Sequence, residues 1–346
     1  MSTHTVLITG GFGYVGSRLT PHLLEQGHRV RVIDLFLYGD AGLKALQAMP
    51  GSADRRSRLE TIRADIRDPR AVEGAVQGAD TVIHLAAISN DPTGQVDETL
   101  TKQVNFDAVG LLLSLARARG VRRFINASSS SVFGIKKEAD VTEDLEPEPL
   151  TFYSKYKMLA EWLVVAAHAP DFTTVNVRPA TICGYSPRQR FDLTVNKLTA
   201  DAVRKRVITV YGGQQRRPNV GMTDMINLYG GLLDAPAESI NGRTFNFGFE
   251  NLKVIEIAQA VQNELADLKP AIQTSAGTDQ RDYHISSAKI SRTLGYRPVS
   301  SIRREVRELR ARLETAEFAD IDADRYYNMK TMKMERSRKA YDFLAR

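Results

Sequence analysis

A chain of 346 residues, 42% hydrophobic and 25% charged, is long enough for two buried cores and has the composition of a globular protein. The net charge of +6, from 47 basic against 41 acidic residues, collects late, in Arg303–Arg312 and Lys330–Arg346. Aromatics are not interleaved with a basic stripe before Tyr326, which favours a solvated helix face and a basic tail over a nucleic-acid surface. The single Cys183 excludes an internal disulfide, and no apolar run approaches membrane-spanning length, so a cytoplasmic protein without a membrane partner is expected.

Thr5 to Asp34 reads TVLITGGFGYVGSRLTPHLLEQGHRVRVID. Val6, Leu7 and Ile8 form a short buried strand. Gly10, Gly13 and Gly16 lead into Leu19, Leu23 and Leu24 on one helix face, Gly27 ends that helix, and Val30 to Ile33 is a second strand closing on Asp34. This is a dinucleotide-binding βαβ unit: side-chain-free turns let backbone N–H groups approach a pyrophosphate at the positive end of a helix. Asp34 can accept hydrogen bonds from both ribose hydroxyls and would repel a 2′-phosphate, which points to NAD rather than NADP.

Gly39 to Arg58 reads as loop with one short helix. A strand is expected over Leu59–Ala64, a helix from Pro69, a strand over Thr81–Leu85 and then a loop through Pro92. Leu100–Ala118 has helical spacing, with Asn105 interrupting its polar face. Arg122–Ala127 is a strand running into four serines, Ser128 to Ser131, at a strand end where ligands sit in parallel sheets. A helix over Thr151–Ala167 and a strand over Thr173–Arg178 complete a doubly wound α/β sheet. From Pro179 the rhythm loosens: a loop at Gly184–Arg190, a helix over Leu193–Arg204, a strand near Val207–Tyr211 and a Gly/Arg-rich turn. A strand at Thr244–Phe247 and helices over Val254–Leu265 and Ile302–Leu313 follow. The division expected is 1–179 as dinucleotide-binding domain joined by part of 208–246, a smaller α/β lobe from 180–207 and 247–315, and a C-terminal tail over 316–346 that either floats or straps the core.

Tyr153 and Lys157 stand four apart on one helix face. A free phenol titrates near 10 and is a poor base at neutral pH, and a neighbouring ammonium favours its ionised form. The pair could take a proton from a substrate hydroxyl while the adjacent carbon is oxidised. Tyr156 has Ala160 four residues on, so no lysine supports it. Cys183 suits a small packed residue better than a nucleophile, and Lys197 a substrate-charge partner or a solvated side chain better than a base.

The TGGFGYVG turn, Asp34, Asp65-Ile66, Leu85-Ala86-Ala87, Asn105, Ser128-Ser129 and Tyr153/Lys157 occur in one order from about Val6 to Pro298. Together they resemble the extended short-chain dehydrogenase/reductase family, in particular its nucleotide-sugar epimerases and dehydratases. The resemblance implies a Rossmann-type domain, NAD as cofactor, a nucleotide-diphosphate sugar as substrate, and a homodimer through the helices around Leu100–Ala118 and Thr151–Ala167. It implies cofactor contacts from Gly10, Gly13, Tyr14, Val15, Gly16, Asp34, Asp65 (to the adenine), Ile66, Leu85, Ala86, Ala87, Asn105, Ser128, Tyr153, Lys157 and Pro179. It also implies Tyr153, Lys157 and Ser129 as catalytic residues, and sugar-nucleotide contacts from Ser129, Ser130, Thr181, Arg217 and Arg281. No metal is implied.

Several positions depart from the family pattern. Where sugar 4,6-dehydratases place an Asp-Glu pair, Ser130 and Ser131 stand, and serine cannot supply that acid and base. Tyr156 precedes the lysine where serine is frequent and could crowd the sugar side. Thr181 replaces an asparagine, and Gly221 replaces a histidine or tyrosine. The expectation is an NAD-dependent nucleotide-sugar 4-epimerase working through a 4-keto intermediate. A 4-ketoreductase or dehydratase of the same family and a non-catalytic dinucleotide sensor are the alternatives.

Overall fold

The strands of the computed structural model are, in chain order, β1 (Thr5–Thr9), β2 (Arg29–Asp34), β3 (Leu59–Arg63), β4 (Thr81–His84), β5 (Arg123–Ala127), β6 (Thr173–Pro179), β7 (Thr181–Cys183), β8 (Val207–Tyr211), β9 (Arg216–Gly221), β10 (Arg243–Phe247), β11 (Glu250–Lys253) and β12 (Ala271–Ser275). Residues 3–138, 140–277, 282 and 284–337 are described. Seven strands make one sheet in the order β10-β6-β5-β4-β1-β2-β3, every pair parallel. Because β1 and β4 are neighbours while the chain winds outward on either side, a crevice opens above their carboxyl ends.

Apolar runs with both faces covered explain the burial of the inner strands. One face is packed by helices Gly16–Glu25 and Met222–Gly231 over Ile8, Val32 and Val177. The other is packed by Pro69–Val76, Ala108–Ala118 and Phe152–Ala166 over Leu7, Val82 and Phe124.

A second core gathers Leu198, Ile208, Val210, Ile257, Val261 and Val306. Its strands form a sheet ordered β11-β9-β7 and a parallel pair, β8 with β12. Phe191, Phe318 and Tyr326 meet edge to face at 5.2–5.7 Å and pin the chain beyond residue 315 to this core. Among the described residues no helix is long and apolar enough to cross a membrane.

The structure departs from the sequence expectation in several stretches. Gly39–Arg58 holds two helices, Ala41–Ala48 and Ser52–Ser57, not one. Gly42 allows the first to dock: a Cβ there would lie 2.1 Å from Ser17 Oγ. The Leu100–Ala118 helix starts at Glu98 and widens into a π-turn over Gln103–Asp107, centred on Asn105. The Gly/Arg-rich turn continues into β9 and helix Met222–Gly231, whose short apolar runs carried no clear period. Of the two alternatives for the tail, its described part straps the core, as 3₁₀ turns at Ala316–Phe318 and Asp324–Tyr326 and a helix over Asn328–Ser337.

Candidate active site

The crevice is a cavity of about 510 Å³, within the range of small-molecule sites. Its floor is the first glycine turn. Gly10 has φ +70° and sits so near β4 that a Cβ would be 2.9 Å from the Ala86 backbone, while a Cβ on Gly16 would be 2.4 Å from the Gly10 carbonyl. The turn therefore brings the first N–H groups of helix Gly16–Glu25 to the cavity, with Gly13, Tyr14 and Val15 lining it. Asp34 follows at the end of β2. Its carboxylate accepts from Phe12 N (2.9 Å) and Phe36 N (2.7 Å), and burial, only partly opposed by these bonds, raises its pKa.

Ile66, Leu85, Ala86, Ala87, Ser128 and Pro179 also line the cavity. Asp65 does so with its carboxylate gripped by Arg67, whose Nε and Nη2 donate to it at 2.8–3.2 Å. Asn105 was expected among the cofactor contacts and is not on the cavity wall. Its amide is spent on the Ile88 peptide, accepting from the N–H and donating to the carbonyl, both at 2.9 Å. It holds the loop after β4 in place from behind.

The glycine turn, the Asp34 carboxylate, and the buried Ser128 Oγ and Arg188 Nε, which have no partner among the described residues, fit a bound dinucleotide.

The residues expected to be catalytic gather near the carboxyl ends of β5 and β6. Thr151 caps helix Phe152–Ala166 in a reciprocal box with Ser154, which fixes the first turn carrying Tyr153. Gly94 lies against that turn, since a Cβ there would meet Tyr153 Cβ at 2.7 Å. Lys157, one turn on, donates from Nζ to the Ala127 carbonyl at 2.7 Å. Burial lowers its pKa to about 8, so it is mainly a cation at neutral pH. His84 beneath it is held near 3 by burial and the lysine charge, and it stays neutral with Nδ1 on Thr9 Oγ1 at 2.8 Å. Ser129 shares a 2.9 Å hydrogen bond with Ser131 Oγ and accepts from Ser131 N, so the serine run is a shaped turn at the strand end.

Ser129, Ser130, Ser131, Tyr153, Lys157, Thr181 and Arg217 all line the cavity. Arg281 lies outside the described residues. Its neighbour Asp282 accepts from Arg216 Nε at 2.9 Å. Tyr156 does not crowd the sugar side: its hydroxyl donates to Glu98 at 3.1 Å, and it is not among the lining residues. Lys197 pairs with Asp201 one turn along its helix. Cys183 is buried with its thiol pushed well up, so it is inert packing.

Gly221 has a structural cause. A Cβ there would lie 2.5 Å from Glu305 Oε1 and 2.7 Å from Ser300 Cβ, so a hydrogen-bonded Ser300/Glu305 pair fills the space a larger residue would need. Burial raises the Glu305 pKa to about 7, and its Oε2 has no partner among the described residues. The group is protonated in both states at pH 4. Between about pH 4.5 and 7 only the unfolded chain releases the proton, so stability falls as pH rises. Glu305→Gln is therefore expected to be more stable than wild type by about 1–3 kcal/mol at pH 8 and equal at pH 4.5, measured by urea unfolding.

Sequence reasoning missed Tyr38, Asn90, Arg188, Arg190, Asp192, Tyr229, Asn328 and Met332, all on the cavity wall. The basic Arg188/Arg190 pair in the loop after β7 was the one visible signal.

Residues 6–248 match the profile of the NAD dependent epimerase/dehydratase family. An uncharacterized protein of Sinorhizobium fredii, y4nG, is 35% identical over 182 residues, 52% of this chain and 42% of that one, so the match spans less than half of this relative. An uncharacterized UDP-glucose epimerase of Bacillus subtilis, YtcB, is 27% identical over 310 residues, 86% of this chain and 94% of its own. Among solved structures, a UDP-glucuronic acid 4-epimerase from Bacillus cereus in complex with NAD superposes with a TM-score of 0.77 at 25% identity, over 92% of this chain and 99% of that one. With the glycine turn, Asp34 and the Ser/Tyr/Lys set assembled on one crevice, the chain belongs to the NAD-dependent epimerase/dehydratase family.

Proposed function

We propose that this protein is a nucleotide-sugar 4-epimerase acting on a UDP-linked hexose or its uronic acid. The observation that carries the reading is a single cavity in which Ser129, Tyr153 and Lys157 face the dinucleotide turn, while Ser130 and Ser131 occupy the place of a dehydratase's acid and base. Bound NAD supplies a hydride acceptor and donor at its nicotinamide. Tyr153, ionised beside the Lys157 ammonium that stabilises its phenolate, takes the proton of the C4 hydroxyl and becomes a neutral phenol, while Ser129 donates to the sugar oxygen as it becomes a carbonyl. The 4-keto sugar turns, and Tyr153 returns the proton to the oxygen of the epimer formed from the other face. Arg217, buried on β9, is assigned to the substrate diphosphate, and the second core, with 180–207 and 247–315, to holding the sugar.

The purified protein, given NAD and either UDP-glucose or UDP-glucuronic acid, is expected to form the C4 epimer by proton NMR without net NADH. Consumption of added NADH with a 4-keto sugar nucleotide would mark a ketoreductase instead.

A homodimer is proposed through helices Ala108–Ala118 and Phe152–Ala166, where Trp162 is 54% exposed beside partly buried Leu111, Leu115 and Leu163. Trp162→Glu is expected to halve the sedimenting mass, and a monomeric wild type would remove the proposal.

A further inference from the structure

Three segments far apart in sequence meet above the crevice: the loop after β4, the loop before helix Thr194–Lys205, and the segment beyond Tyr326. Arg190 binds Asp192 with two parallel bonds, Nε to Oδ1 at 2.9 Å and Nη2 to Oδ2 at 3.0 Å. Asp192 Oδ2 also accepts from Asn328 N and from Asn90 Nδ2, both at 3.1 Å. Asn328 donates to Ser89 Oγ at 2.8 Å. Asn90 is held at φ 75°, ψ 154°, a backbone region nearly restricted to glycine. The surrounding bonds hold this loop in a conformation it would not adopt alone.

Arg188 stands apart within this group. It is 4% exposed, lies 3.8 Å over the Tyr38 ring, and donates from Nη2 to the neutral amide of Asn328. Its Nε is buried without a partner among the described residues, on the cavity wall. Burial lowers its pKa to about 10, which leaves it a cation at neutral pH. The nearby carboxylate of Asp192 is already taken by Arg190, so a second buried guanidinium is held ready for an anion. Its neighbours Tyr38 and Asp34 belong to the ribose side of the crevice, whereas Arg217 comes from β9. Four residues beyond Asn328, Met332 packs on Ile88 and Leu100 beside Leu37 and Val104, walling the adenosine end.

We propose that Arg188 anchors the diphosphate of the bound dinucleotide, and that Asn328 and Met332 close the C-terminal segment over it, so that the cofactor leaves only when this segment undocks. The proposal rests on the dinucleotide-binding reading of the cavity. It would account for a cofactor retained through each catalytic cycle, because release would require breaking the Asn328 bonds together with the Met332 contacts.

The test measures binding, not turnover. Calorimetric titration of Arg188→Gln with NAD is expected to show affinity reduced about tenfold or more, the effect of one lost charge-assisted bond, with UDP affinity unchanged. Arg188→Lys, which keeps the charge without the planar fork, is expected to lie between. Asn328→Ala is expected to release NAD faster on gel filtration. Trypsin should cut wild type after Lys330 more slowly when NAD is present, and this protection should be lost in Arg188→Gln. NAD affinity within twofold of wild type in all three variants, or a loss confined to UDP, overturns the anchor. Equal trypsin rates with and without NAD overturn the closure. A wild-type chain that binds no NAD would overturn both this and the family site.

Discussion

Tyr153→Phe is expected to lower kcat about a hundred- to ten-thousandfold, the scale of a lost general base, with NAD and UDP affinities within about twofold of wild type. The substitution removes one oxygen from a nearly buried ring, so the packing against Gly94 and the capped helix start are retained. Among the described residues no neighbour can take over. The other described phenols on the cavity wall are Tyr14, Tyr38 and Tyr229, and burial pushes the hydroxyl of each further above neutrality. His84 is not on the cavity wall, and it is buried beside the Lys157 charge with Nδ1 on Thr9 Oγ1. Steady-state kinetics with binding titrations make the measurement, and turnover within tenfold of wild type would take Tyr153 out of the base role.

Lys157→Met is expected to cost about a hundredfold or more in kcat/KM and to change the pH profile. With a folded-state pKa of about 8, the amine is charged below that value and loses its proton above it. Wild-type kcat/KM should therefore decline above about pH 8 as the cation beside the phenol disappears. The variant should lack that alkaline decline. Stability should move the opposite way. A buried ammonium whose pKa has fallen from 10.5 to about 8 destabilises the fold in full below pH 8, and the cost fades between pH 8 and 10.5 as the folded form releases its proton first. After allowance for the lost bond to the Ala127 carbonyl, Lys157→Met should gain about 1–2 kcal/mol at pH 7 in the absence of cofactor and nothing at pH 11. A variant that lost activity and stability together would point to a structural role for the lysine instead.

Local patterns in the chain by themselves determined the dinucleotide half of the protein. The glycine turn and Asp34 lie within one βαβ unit, Tyr153 and Lys157 within one helical turn, and each inner strand within one apolar run; short-range sterics and burial suffice to specify such features. Where the local signal was weak, as in the two short helices before β3 or the strand and helix after Gly213, docking against distant residues decided the structure. The tertiary structure alone decided what Asn105 does, because an amide facing a peptide 17 residues away and one facing a cofactor read identically in sequence. The same holds for Gly221, whose missing side chain makes room for a carboxylate 84 positions later. It holds most for the roof of the crevice, where Ser89 and Asn328 meet across 239 residues. Such contacts arise from the way the two cores pack against each other and leave no periodicity in the chain.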